Sequence, residues 1–494
     1  MDSGQTIPQS HADAAPGAAA SAPSSPSSLP HPHSAIQRAA LLVATLASFL
    51  TPFAGSSTNV ALPSMGRDFS MTAVALSWVV TAYALAAAVF LLPAGRLADI
   101  RGRRRVFLTG ASIYTLASLA AGLAPSGAAL ILARAVQGAG AAMIFGTNAA
   151  ILTSVFPLGQ RGRVLGLNVA AVYVGLTCGP YIGGVLTEYA GWRSVFLINV
   201  PLGILVIFVI LRWLRHEWAE AHGEYFDLFG AVIYAAALVA LMLGASDMRN
   251  GGGAALMAAG AAIFASFIVW ELRARSPLVE IRLFRDNVVF ALSNLAALLN
   301  YSAMFAVGFL LNLHFQFISG LKPTAAGLVL IAQPLVMAMV SPLAGRLSDR
   351  VEPRIVASIG MGLTTVGLAA FAALSETTPL AAIVAALAIL GLGMALFSSP
   401  NANAIMSSVE KRRLGLASAM MGTMRLTGQM VSMAIVMLAL SVFVGDKELT
   451  AEAHDGLLPG LRLAFAASAA LCLAGVFASL ARGRLRAQNE CPRP

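Results

Sequence analysis

Fourteen stretches of about 20 predominantly apolar residues, the length a helix needs to cross the hydrocarbon core of a bilayer, follow one another along the chain. They cover 38–62, 74–94, 106–123, 128–153, 163–187, 193–214, 227–247, 253–271, 287–312, 323–345, 354–374, 379–400, 414–443 and 458–481. Apolar residues make up 58% of the 494, well above the usage of a soluble domain. They are gathered into continuous runs, which a water-soluble core does not need and a membrane-embedded helix bundle does.

The charges obey the same segmentation. Only 11% of residues are charged and the formal net charge is +10, a balance that in a soluble protein would suggest nucleic acid as partner. Here the basic residues sit in short turns between spans. Counting alternate turns, 24 of the 32 Lys and Arg fall on the side of both termini and six on the other. Such a bias marks the cytoplasmic side, so we expect a multi-pass inner-membrane protein with both termini inside and no nucleic-acid partner.

The first 37 residues are rich in Ala, Ser, Pro and His and read as a disordered tail. No Lys or Arg precedes Arg38, so the basic segment of a cleavable signal peptide is missing and the first span reads as a retained helix. Cys178 and Cys472 lie in spans and Cys491 in the tail, without CxxC or HExxH. We expect no disulfide, metal or cofactor, and, without a nucleophile–base cluster, no enzyme.

Two basic residues fall inside spans, Arg134 and Arg425. An arginine at membrane depth is costly and is tolerated mainly where it faces a polar interior, so both become candidates for the lining of a central cavity.

One charged turn is written twice: AGRLADIRGRRR at 94–105 and AGRLSDRVEPR at 344–354. The copies follow the second and tenth spans, an offset of eight helices. Two six-helix halves separated by a two-helix insert give that offset and a total of fourteen. The expected organisation is a tail (1–37), a first half (38–214), an insert (215–272), a second half (273–482) and a second tail (483–494).

The first copy resembles the loop signature of the major facilitator superfamily through Gly95, Leu97, Asp99, Gly102 and Arg103, with Ile100 where a basic residue is usual. RAVQGAGAA (134–142) resembles its fourth-helix signature through Arg134, Gln137, Gly138 and Gly140. GLTCGPYIGG (175–184) matches the fifth-helix pattern at Gly175, Gly179, Pro180, Gly183 and Gly184. TAY (81–83) and NVALP (59–63) resemble the fourteen-helix drug:proton antiporter branch.

The resemblance, which spans about 38 to 482, implies an all-α alternating-access transporter. It implies a gate at Gly95, Asp99, Gly102 and Arg103, with a second copy at Gly345, Arg346 and Asp349. In that gate the two glycines would permit a tight turn, and Asp99 would meet the N-terminus of a neighbouring helix. Gly175, Gly179 and Gly183 share a helix face and allow close helix packing, while Pro180 bends the span; in the family this pattern marks exporters. Proton coupling follows from the same resemblance.

The chain departs from that branch in its first helix. Relatives commonly carry an acid just before NVALP, where Ala54 stands here, and no carboxylate falls in the middle of any span. The Ser56, Ser57, Thr58 and Asn59 run would suit a neutral or anionic substrate. Asn59, Tyr83, Arg134, Gln137, Asn148, Asn300 and Arg425 are the candidate cavity or coupling residues. Arg134, partnered by Gln137, is expected to present its free donors to an oxyanion on the substrate. The sequence thus points to an exporter of small organic molecules or drugs working as a monomer, with an importer on the same fold or a non-transporting sensor as rivals.

Overall fold

A peptide backbone in lipid has no water to bond with, so each spanning segment must satisfy its own N–H and C=O groups, and a helix does this. The computed structural model describes residues 32–214, 217–218, 225–247, 252–274, 277–410, 414–445 and 454–483. Among them, thirteen helices are long and apolar enough to cross a membrane. The fourteenth expected span is the 20-residue α3 (Arg103–Gly122), whose first turn holds three arginines that dilute its apolar content.

The first half comprises α1 (Pro32–Asp68), α2 (Ala73–Arg101), α3, α4 (Gly127–Val155), α5 (Leu158–Ala190), the short α6 (Arg193–Leu197) and α7 (Asn199–Trp213). Helix α1 begins at Pro32, six residues before the start of the first expected span. The insert is α8 (Leu228–Ser246) and α9 (Gly252–Glu271). A short α10 (Ile281–Asp286) leads to the second half: α11 (Val288–Met304), α12 (Val307–Leu313) and a π-helical turn (His314–Ile318) in one span, then α13 (Pro323–Leu330) with α14 (Ala332–Arg350). It ends with α15 (Pro353–Ala372), α16 (Leu380–Ser407), α17 (Leu414–Phe443) and α18 (His454–Ala481). Helix starts are set by local chemistry. Thr72, Ser126, Asp227 and Asn287 each accept a first-turn N–H through a side-chain oxygen.

The halves repeat one packing scheme. In the first, α1 lies on α5 and α7, and α4 lies between α2 and α3. In the second, α11 lies on α17 and α18, and α16 lies between α14 and α15. Polar detail repeats too: Asn148 of α4 donates to Ser48 Oγ of α1 at 2.7 Å, and Asn401 of α16 donates to the Ser293 carbonyl of α11 at 3.1 Å. The insert folds as a pair, and α8 packs against one helix of each half, α2 and α17. Leu116, Leu132, Phe208, Val366 and Phe477 remain exposed on the outer surface, as lipid-facing side chains must.

Candidate functional site

Two surfaces of the bundle matter: the face of the arginine turns and the face opposite it. At the arginine face, α2 passes into α3 at Gly102, whose φ of +112° suits glycine. A side chain there would also run into Glu217. Gly95 plays no part in this turn, because α2 runs without a break to Arg101. Arg103 donates from Nη2 to Asp99 Oδ1 at 3.1 Å and from Nη1 to Ser154 Oγ at 2.8 Å, tying α2 to α4. The acid that meets the N-terminus of α3 is Glu217, which accepts from the Arg104 backbone N–H at 2.8 Å. Glu217, a residue beyond α7 that the motif does not contain, thus takes the N-terminal position at α3.

The second copy differs. Gly345 and Arg346 lie inside α14, and Arg346 is exposed. Glu352 stands in place of the turn glycine, and Pro353 opens α15. The side chain of Asp349 lies outside the described residues. At this face of the second half, buried Arg482 donates to Asn401 Oδ1 at 2.7 Å and Ser293 Oγ at 3.2 Å. Burial pushes its guanidinium down to about 10.

The glycine pattern of α5 does two jobs. A Cβ at Gly175 would come within 2.5 Å of the Phe49 carbonyl, and one at Gly183 within 2.6 Å of Ser57 Cα, so this face packs directly on α1. Gly184 instead faces the second half, where a Cβ would come within 2.5 Å of the Pro323 carbonyl. The Pro180 carbonyl lies against Gly327 of α13. Helix α5 continues through Gly179 and Pro180 without interruption.

The seam between the halves is bonded at the face opposite the arginine turns. Asn312 Nδ2 donates to the Asn59 carbonyl at 2.6 Å, and Gln316 Nε2 to the Val60 carbonyl at 2.8 Å. Lys322 pairs with Glu188 at 3.4 Å. The Asn59 carbonyl is free to accept because its helical partner four residues on is Pro63, which has no N–H. Asn312 and Gln316 stand four residues apart on one face of an apolar span, a signal that was present in the sequence.

At mid-depth the two span arginines part company. Arg134 is 1% exposed. It donates from Nε to the Val79 carbonyl at 3.0 Å and from Nη1 to Gln137 Oε1 at 2.5 Å, and lies 4.3 Å over the Tyr83 ring. Gln137 passes the connection to Ser118 Oγ at 2.7 Å. Arg134 is thus a packing element joining α2, α3 and α4, and the expectation that it meets substrate does not hold in this arrangement. Arg425 of α17 is half-buried, lies 5.2 Å over Phe145 of α4 across the seam, and has a buried Nε without a hydrogen-bond partner. Tyr173 and Ser341 meet across the seam at 3.4 Å.

Other candidate cavity residues serve packing. Asn148 binds α1, and Asn300, fully buried, donates to Met394 Sδ at 3.3 Å. Ser57 and Thr58 are buried, and their hydroxyls return to the carbonyls of their own helix, Phe53 and Ala54. The first helix therefore does not offer a free hydroxyl row to a substrate. Among the described residues no group of His, Cys, Asp and Glu could hold a metal ion.

The description Major Facilitator Superfamily belongs to the family model that matches residues 44–321 and 293–494. The Riboflavin transporter RibZ of Clostridioides difficile (strain 630) is 30% identical over 389 residues, covering 78% of this chain and 84% of that protein. The Cephamycin export protein CmcT of Amycolatopsis lactamdurans is 38% identical over 411 residues, covering 81% and 84%. A solved POT family transporter, in complex with a thioalcohol-conjugated peptide, shares the fold with a TM-score of 0.69 at 13% identity, covering 88% of this chain and 94% of that one.

Proposed function

The chain belongs to the major facilitator superfamily and is a multi-pass membrane transporter, and we propose that it exports small organic molecules by alternating access between its two halves. In this reading the arginine face lies in the cytoplasm, the protein sits in the inner membrane, and the proton gradient drives the cycle.

The observation that carries the reading is the seam. The halves are joined at the face opposite the arginine turns by side chains that can let go, two amides and one ion pair. The contact surface there is lined by Gly184 and Gly327, which allow two helices to meet and part without interlocking side chains. A carrier that exposes its site to one side at a time needs such a releasable closure. Arginine bias supplies the orientation, and the similarity to a protein named for cephamycin export supports the direction.

Uptake into everted vesicles tests it. Accumulation of a candidate drug that collapses when the proton gradient is dissipated supports proton-coupled export. Accumulation indifferent to the gradient removes the coupling, and accumulation only in right-side-out vesicles makes the protein an importer.

A further inference from the structure

We propose that Arg425 and Phe145 form a subsite at the seam that holds the carboxylate or similar oxyanion of an aromatic organic substrate. The inference rests on the reading of the seam as the transport path, and it names the substrate class that path would take.

Both residues lie at mid-depth, one from each half: Phe145 eighteen residues into the 29-residue α4, Arg425 eleven residues beyond the start of α17. The guanidinium carbon stands 5.2 Å over the ring. Contact with the ring satisfies the face of the guanidinium and leaves its edge, where the N–H groups point. On that edge Nε is buried and without a hydrogen-bond partner. Nε and its neighbouring terminal nitrogen form the fork that grips two oxygens of one carboxylate.

Among the described residues no carboxylate pairs with this charge at depth. Every carboxylate that falls within a spanning helix sits within the first or last few residues of that helix. A charged group at membrane depth persists where it faces a polar interior and finds a partner. Arg134 shows the satisfied alternative, with its donors on Val79 and Gln137. Arg425 has no such arrangement, so the missing partner is assigned to the substrate. Tyr83 and Tyr301 lie within electrostatic reach of Arg425. Phe145, beside the guanidinium, gives the aromatic body of such a substrate a ring to pack against. A lipophilic cation would meet an uncompensated positive charge in a low-dielectric site, which disfavours it.

Equilibrium binding to the purified full-length protein in detergent separates this claim from the direction of transport. The probes are two aryl carboxylates, fluorescein and 2-naphthoate, and one aromatic cation, rhodamine 6G. We expect saturable binding of both anions, weakened about tenfold or more by Arg425→Gln and only partly restored by Arg425→Lys. Phe145→Leu should weaken the anions as well, and rhodamine 6G should bind no worse to Arg425→Gln than to the wild type. An unchanged thermal unfolding midpoint in Arg425→Gln shows that the loss is local. If that midpoint drops, Arg425→Lys, which keeps the charge, decides the matter by its anion-to-cation preference. Absence of anion binding to the wild type, or anion binding indifferent to both Arg425 variants, overturns the proposal even if vesicles accumulate drug. Anion binding without export would leave this subsite standing and remove the exporter reading.

Discussion

Asn312 donates from Nδ2 to the backbone oxygen of Asn59, 2.6 Å away, across 253 residues of sequence and the seam between the halves. The bond exists because Pro63 leaves that carbonyl without its helical donor. Asn312→Leu should therefore loosen the closure without harming either half. A typical hydrogen bond contributes about 1 kcal/mol net, so the closed population should fall by about fivefold relative to the open one. Spin labels at Arg67 and Ser319, both exposed, would report the longer distance as a grown population. An unchanged distance distribution would mean that the other seam contacts hold the face shut alone.

Asp99 is the exposed partner of a largely buried Arg103, 3.1 Å apart and four residues along the chain. Exposed pairs of this spacing contribute only about 0.3–0.5 kcal/mol, so Asp99→Asn should insert and melt like the wild type. If the pair belongs to the gate, transport should nonetheless drop by more than about tenfold, a barrier change of roughly 1.4 kcal/mol or more. The second copy lacks the turn glycine and has three arginines to the first copy's five, so Asp349→Asn should impair flux less. The opposite ranking, at equal membrane levels, would move the dominant gate to the second half.

Arg134→Lys tests the packing role of Arg134. A lysine cannot bond the Val79 carbonyl and Gln137 together while stacking on Tyr83, as the fork does. Losing one charge-assisted bond should cost about 1.5–3 kcal/mol, visible as a lower unfolding midpoint and less protein in the membrane. The surviving protein should bind substrate with its usual affinity. Normal stability with weakened binding would return Arg134 to the substrate site.

Gly183 and Gly95 should part company under the same substitution. A Cβ at Gly183 meets Ser57 Cα at 2.6 Å, whereas one at Gly95 meets nothing within 4 Å. Gly183→Ala should separate α1 from α5, costing about 1–3 kcal/mol as overpacked sites do. Gly95→Ala should keep or raise stability, by up to about 1 kcal/mol from helix propensity. Measured unfolding in detergent decides, and equal loss at both positions would contradict the packing described.

The sequence by itself determined the membrane, the helices and the duplicated plan. Spans are set by local apolar content, which can be summed along one dimension. The twice-written turn located the two halves, and the glycines of α5 announced a tight helix contact. Local reading also tells where a boundary blurs: three arginines lie within the first turn of α3 rather than in the turn before it.

What only the tertiary structure decided is which way each helix faces and what lies opposite. Arg134 and Arg425 look alike in sequence, each a lone cation in an apolar run. One is enclosed by Val79, Gln137 and Tyr83, and the other stands over Phe145 with an unsatisfied Nε. Glu217 reaches the N-terminus of α3 from more than a hundred residues away, and no pattern in its linker announces that. A helix apolar on all sides carries no record of its rotation about its own axis. The partner of a buried polar group is fixed only when neighbouring helices close around it.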